Sequence, residues 1–220
     1  MGAIRLRHVV NKVRIAALVA TVGPIVATLT SVFVGRLDPG YSPIQTSVSR
    51  LAEVGAPGAG LMNFAIGLLG VSLLALAFGM ASADRSAAPI APTFVGAAGV
   101  ALLIAAAIRI DPGNPAAVLA HRIASAAAFA ALALAQLAAA RLYRGDRANR
   151  QYRRASLATG LLSAFLLGAG VGLLFDGFPG GLWERAVALL AFVWAELSAL
   201  RLMVRHLPPA RPAARSLPTH

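Results

Sequence analysis

Six apolar runs constrain this chain more than any motif in it: Ile15–Val34, Gly60–Ala81, Thr93–Ile110, Ala117–Ala140, Ser156–Phe175 and Leu182–Val204. A hydrocarbon core about 30 Å thick needs roughly 20 apolar residues per helix, and each run meets that length. All are rich in Ala, Leu, Val and Gly and lack the alternation of a membrane strand, so helices are expected and a barrel is not. Hydrophobic residues make up 58% of the chain and charged ones 13%, far from a soluble average. The expected fold is all-α: a polytopic membrane protein of six transmembrane helices. Residues 1–206 form its single domain, and the Pro/Arg-rich residues 207–220 form a flexible tail.

Orientation is read from the basic residues. The N-terminal segment carries Arg5, Arg7, Lys12 and Arg14, and the second connection carries Arg85. The fourth connection holds Arg141, Arg144, Arg147, Arg150, Arg153 and Arg154, and the C-terminal part Arg201, Arg205, Arg211 and Arg215. In a six-span arrangement all of these fall on one side, which the positive-inside rule makes cytoplasmic together with both termini. The net charge of +12 thus lies in membrane-flanking segments that attract anionic lipid headgroups, and no nucleic-acid partner is expected. The absence of Cys excludes disulfides, thiolate metal sites and a Cys nucleophile. The first apolar run lacks a small-residue cleavage site and is expected to be a retained helix.

The opposite side carries a pattern in triplicate. Asp38-Pro39-Gly40, Asp111-Pro112-Gly113 and Asp176-Gly177 each end a run, and Arg50, Arg122 and Arg185 follow roughly ten residues later. Pro and Gly stop the outgoing helix and turn the chain, which suggests three helical hairpins, whether by internal repetition or from ordinary turn chemistry. The first of these loops is longer. Ile44, Val48, Leu51 and Ala52 recur at helical spacing within residues 42–53, the mark of a short amphipathic helix on the interface, ended by Gly55–Gly58.

Charges at the rim of the hydrocarbon are costly unless paired or wet, so the outward polar residues are the candidate site. Arg50, Arg122 and Arg185 would offer donors to phosphate or carboxylate, with Glu53, Asn63 and Asp176 beside them. His121, Asp111 and Glu184 would orient these donors or act as acid and base. A closed network of ion pairs accounts for the same residues, and both readings stay open. On the last helix, Arg185 and Glu196 share one face, with Glu196 about 16 Å deeper at 1.5 Å per residue. Glu196 either packs as a neutral acid, with Gln136 as its nearest partner by depth, or handles protons. With no second His inside the bundle, a paired-His haem or a multi-His metal centre is excluded, and neither a cofactor nor a metal is expected. No Gly-Lys phosphate loop, nucleophile elbow or His-Glu-x-x-His motif occurs. Glycines on the second run (Gly67, Gly70) and the fifth (Gly160, Gly168, Gly170, Gly172) are expected to let helix backbones approach.

The stretch Ser49-Arg50-Leu51-Ala52-Glu53-Val54-Gly55-Ala56-Pro57 with Asn63, then Asp111-Pro112 with His121, and Gly181-Leu182-Trp183-Glu184-Arg185 with Trp194 resembles a bacterial and archaeal membrane family. That family is domain of unknown function nine-nine-eight. The resemblance runs over about residues 15–204. It implies six helices and marks Ser49, Glu53, Asn63, Asp111, His121, Glu184 and Arg185 as its polar positions, and it implies no activity. The function expected from the residues is an outward-facing pocket binding a small amphiphile or lipid headgroup. The alternatives are an intramembrane enzyme acting on a lipid or isoprenoid, and a proton-coupled transporter using Glu196.

Overall fold

The computed structural model describes residues 2–83, 89–144, 146–173 and 179–205. Its helices are α1 (Gly2–Leu37), α2 (Ala59–Ala83), α3 (Ile90–Ala107), α4 (Pro115–Leu142), α5 (Arg150–Leu173) and α6 (Gly180–Arg205). Among the described residues there is no strand, only an isolated parallel bridge between Glu53 and Ile110. Five helices (α1 from Val10 onward, α2, α3, α4 and α6) are long and apolar enough to cross a membrane. The sixth, α5, carries no charge from Ala155 to Leu173. The expected tail, residues 207–220, lies outside the described residues.

Large apolar side chains stand outermost: Leu29, Phe165 and Val204 are 65%, 67% and 65% exposed. The interior is instead built from small residues such as Ala17, Ala98, Ala128 and Ala135 around Leu76, Trp194 and Leu202. This inverts the soluble arrangement and leaves an apolar girdle for acyl chains. The chain is a multi-pass membrane protein. Successive helices pack against one another, and α6 closes the ring on α1 while also touching α2 and α4. Small residues set a close backbone approach between α2 and α3. A Cβ on Gly70 would stand 2.8 Å from the Gly99 carbonyl oxygen, and one on Gly99 equally close to that of Gly70, so both positions admit glycine alone.

Three boundaries depart from the apolar runs, each for a local reason. The basic N-terminal segment continues α1 well ahead of Ile15, because helix propensity does not stop at the hydrocarbon edge. At the end of α3, Ile110 leaves the helix to pair with the first loop, its carbonyl accepting from the Val54 N–H at 2.8 Å. The amphipathic helix expected within residues 42–53 is only a 3-10 turn, Val48–Ala52, with Leu51 and Ala52 buried. Side chains of neighbouring helices bond to the backbone of this loop and take the place of further helical turns. Gly55 and Gly58, at φ of +88° and +76°, then turn the chain into α2.

Candidate functional site

The start of α6 holds the loop between α1 and α2 through four residues. Gly181 comes first. A Cβ there would be 2.7 Å from the Pro43 carbonyl oxygen and closer still to that of Thr46, so the loop rests directly on the helix backbone. The Leu182 N–H then donates to the Ile44 carbonyl at 2.8 Å. Glu184 follows: its Oε2 accepts the Val48 N–H at 2.7 Å, and the Ser49 N–H also reaches this carboxylate. The acid therefore caps the first turn of the 3-10 segment, where unpaired N–H groups favour negative charge. Arg185 does the converse, donating from one guanidinium nitrogen to the carbonyls of Pro43, Thr46 and Gly181 at 2.6, 3.3 and 3.1 Å. Its other terminal nitrogen donates to the Tyr41 hydroxyl. Burial pushes the Tyr41 phenol above its ordinary value, and the adjacent guanidinium pulls it back.

Asn63 fixes the other side of this loop, and His121 fixes the end of α3 that pairs with it. The Asn63 amide donates to the carbonyls of Ala52 and Ala59, both at 3.0 Å. His121 is 2% exposed, and its Nδ1 lies 2.9 Å from the Ala105 carbonyl. A carbonyl only accepts, so Nδ1 carries the proton, and the ring closes one of the open carbonyls at the end of α3. In the neutral ring this leaves Nε2 with a lone pair. Among the described residues nothing bonds to Nε2. The remaining candidates stand apart from this core. Arg50 and Arg122 are exposed, and Asp111 is exposed with its Oδ1 accepting from the Gly113 N–H at 2.9 Å, as Asp38 does from Gly40 at 3.0 Å. Glu53 is half-buried and contributes only its backbone to the bridge with Ile110. Asp176 lies outside the described residues.

Beneath the loop lies a cavity of 320 Å³. Ser49, Glu184, Arg185 and His121 form its polar end, and Ser125, Thr28 and Ser31 continue down its sides. Its deep end is apolar, walled by Leu69, Leu102, Phe129 and Phe192. Two more wall residues, Val32 of α1 and Leu189 of α6, are 51% and 62% exposed on the outside of the bundle. The cavity thus reaches from buried polar groups to the lipid-facing girdle.

Residues 21–201 match the model of the family described as Protein of unknown function (DUF998). The chain belongs to the DUF998 family. Neither a curated protein nor a solved structure matches it. The matched residues of this DUF998 protein include the whole loop, the cavity wall and Glu196.

Deeper in the DUF998 bundle, Glu196 and Gln136 are separate. Glu196 is half-buried and faces α1 across a groove of 390 Å³ bordered by Pro24, Thr28 and Phe192. Its Oε1 is buried without a hydrogen-bond partner. Gln136 is fully buried and its amide is likewise unpartnered, with its Cβ facing Gly160 of α5. Equal depth did not make them neighbours, because they point to different helices. Thr28 bonds back to the carbonyl of Pro24, a proline inside α1, at 2.8 Å.

The far end holds a polar cluster that the sequence reading used only for orientation. Arg201 lies over the rings of Tyr143 and Tyr152, 4.1 and 4.8 Å from their centroids. Asn149 Oδ1 accepts from Arg201 Nε at 3.1 Å and from Arg205. The Asn149 amide donates in turn to Asp146 and holds that carboxyl below its usual range. The available signal was two tyrosines flanking the α4–α5 turn and an Arg in the last turns of α6, a pairing suited to cation–π contact.

Proposed function

We propose that this DUF998 protein is a cytoplasmic-membrane protein that takes a small amphiphile into the cavity beneath its α1–α2 loop. In this reading the helices form three hairpins, both termini are cytoplasmic, and the loop faces outward. The observation that carries it is the composition of the cavity wall. Buried polar groups sit at one end, aromatic and aliphatic side chains at the other, and exposed Val32 and Leu189 border it at the girdle. Its volume of 320 Å³ falls within the range of small-molecule sites and gives room for about ten water-sized groups at roughly 30 Å³ each. A single chain of that length fits inside it; a two-chain phospholipid would have to extend into the girdle.

The test uses ten-carbon single-chain probes carrying a mid-chain diazirine, with the protein in nanodiscs. Saturable labelling of α1, α4 and α6 peptides is expected, and Ala188→Trp, which fills the cavity from α6, should remove it. Unsaturable labelling, unchanged by Ala188→Trp, would sink the reading. Orientation is checked with single Cys residues: an impermeant thiol reagent should label Gly113→Cys from outside intact cells and leave Arg147→Cys untouched.

Proton-coupled transport is the second reading, favoured by the unpartnered Oε1 of Glu196 in the groove against α1. It requires Glu196→Gln to abolish pH-dependent uptake while the protein stays folded. Acid–base catalysis by His121 has less support, since Glu184 is engaged by the loop N–H groups and Asp111 by its own turn.

A further inference from the structure

Among the described residues the polar end of the cavity contains one cation, and its hydrogen-bonding capacity is largely committed. Arg185 donates to three loop carbonyls and to the Tyr41 hydroxyl, and the carboxylate of Glu184 stands next to it in sequence and in the same wall. An anionic head entering here would meet a neutralised pair and would have to break the loop's own bonds to reach the guanidinium. Arg50 and Arg122, the other cations expected to serve an anion, are exposed and do not line the cavity.

Two other groups remain uncommitted. His121 and Ser125 are one helical turn apart on α4, so they share a face, and both line the cavity. Nδ1 of His121 is held by the Ala105 carbonyl, which in the neutral ring makes Nε2 an acceptor. Among the described residues neither Nε2 nor the Ser125 hydroxyl has a protein partner. One acceptor beside one donor–acceptor hydroxyl is the complement of a small head that donates one hydrogen bond and accepts another. Phe129 and Leu132 continue the same face of α4 below Ser125, and Phe129 belongs to the apolar part of the wall.

We infer that the cavity selects an uncharged single-chain lipid alcohol, whose hydroxyl donates to His121 Nε2 and accepts from Ser125 while its chain lies along Phe129 and Phe192. The inference rests on the amphiphile reading above and names the head that reading leaves open. It sets a neutral alcohol in place of the phosphate or carboxylate that the arginines of the sequence suggest.

The experiment compares four versions of the ten-carbon diazirine probe in nanodiscs: the alcohol, its methyl ether, the phosphate and the carboxylate. The alcohol should half-saturate at a concentration about tenfold lower than the methyl ether, which can accept but not donate, and lower still than the two anions. Ser125→Ala, which removes no protein hydrogen bond, should weaken capture of alcohol and ether alike, severalfold, and leave the gap between them. His121→Asn keeps a donor for Ala105 while deleting the acceptor at Nε2, and should erase the gap. If that variant fails to fold, the alcohol–ether comparison on the unaltered protein still decides. Equal capture of alcohol and ether, or preferred capture of the phosphate or carboxylate, would overturn the inference and leave the amphiphile reading standing. Failure of all four probes to label saturably would overturn both.

Discussion

At the loop end of the bundle, Arg185 is enclosed by backbone carbonyls and the Tyr41 hydroxyl, and Glu184 is bonded to backbone N–H groups. At the far end, Arg201 lies across two tyrosine rings and shares Asn149 with Arg205. Both ends bind arginine, but to different materials. The first ties charged side chains to main chain that must be satisfied wherever it is buried; the second ties them to side chains, of which Tyr143 and Asn149 are themselves buried. The contrast teaches where rigidity lies. The loop end is built to hold a fixed shape above a cavity, and the far end anchors α6 against the α4–α5 turn.

The hardest test of that contrast is steric. Gly181→Val places a branched side chain against the Pro43 and Thr46 carbonyls, atoms that belong to a loop bonded on both sides and cannot turn away. Overpacking of this kind costs about 3 kcal/mol. Thermal unfolding in detergent should show a larger drop than loss of either the Glu184 or the Arg201 side chain, and the loop should become sensitive to protease. A variant with native stability would mean that the loop does not rest on the α6 backbone.

A second comparison sets one end directly against the other. Glu184→Ala leaves buried N–H groups of the 3-10 turn without an acceptor and should cost about 2 kcal/mol, in the range for bonds to a charged group. Glu184→Gln, which keeps an acceptor, should recover about half. Arg201→Leu removes the cation from both rings and one donor to Asn149, where Arg205 still donates, and should cost about 1 kcal/mol. Equal losses at both ends, measured as shifts in unfolding temperature under one set of conditions, would remove the distinction between them.

The helices were legible because apolar run length is a property of composition alone. Their packing partners were not. His121 and Arg122 are adjacent in sequence, yet one is buried and the other exposed, and only the recurrence of Ser125, Phe129 and Leu132 marks which faces inward. Glu196 and Gln136 were matched by depth, but depth carries no information about azimuth: one faces α1 and the other α5. The role of Arg185 was hidden for a different reason. It bonds to carbonyls, which every residue possesses and no letter of the sequence distinguishes. A balanced set of acids and arginines suggests ion pairs, whereas the described structure satisfies Glu184 and Arg185 mainly with backbone.

The smallest expected effect lies in the α4–α5 turn and concerns pH. Asp146 Oδ1 accepts the Ala148 N–H at 2.9 Å, and its other oxygen accepts from the Asn149 amide. These bonds, Asn149's foremost, hold its carboxyl below the usual range. A carboxyl lowered in the folded state binds its proton more readily when unfolded, so it stabilises the fold above the unfolded value of about 3.9. That contribution fades as pH falls below this value and is gone once pH has passed the lower folded value. Asp146→Asn should therefore unfold slightly earlier than the unaltered protein at neutral pH, and the two unfolding temperatures should converge in strong acid. The group is exposed, so solvent screening keeps the difference small, and the comparison must be made as a difference between the two proteins, since other carboxyls titrate in the same window. Hydrogen exchange at the Ala148 amide gives the local readout: protection should fall in the variant at neutral pH, because an amide oxygen accepts more weakly than a carboxylate, and in the unaltered protein only in acid. A difference in unfolding temperature that stays constant from neutral pH into strong acid would show that Asp146 shapes the turn without its charge.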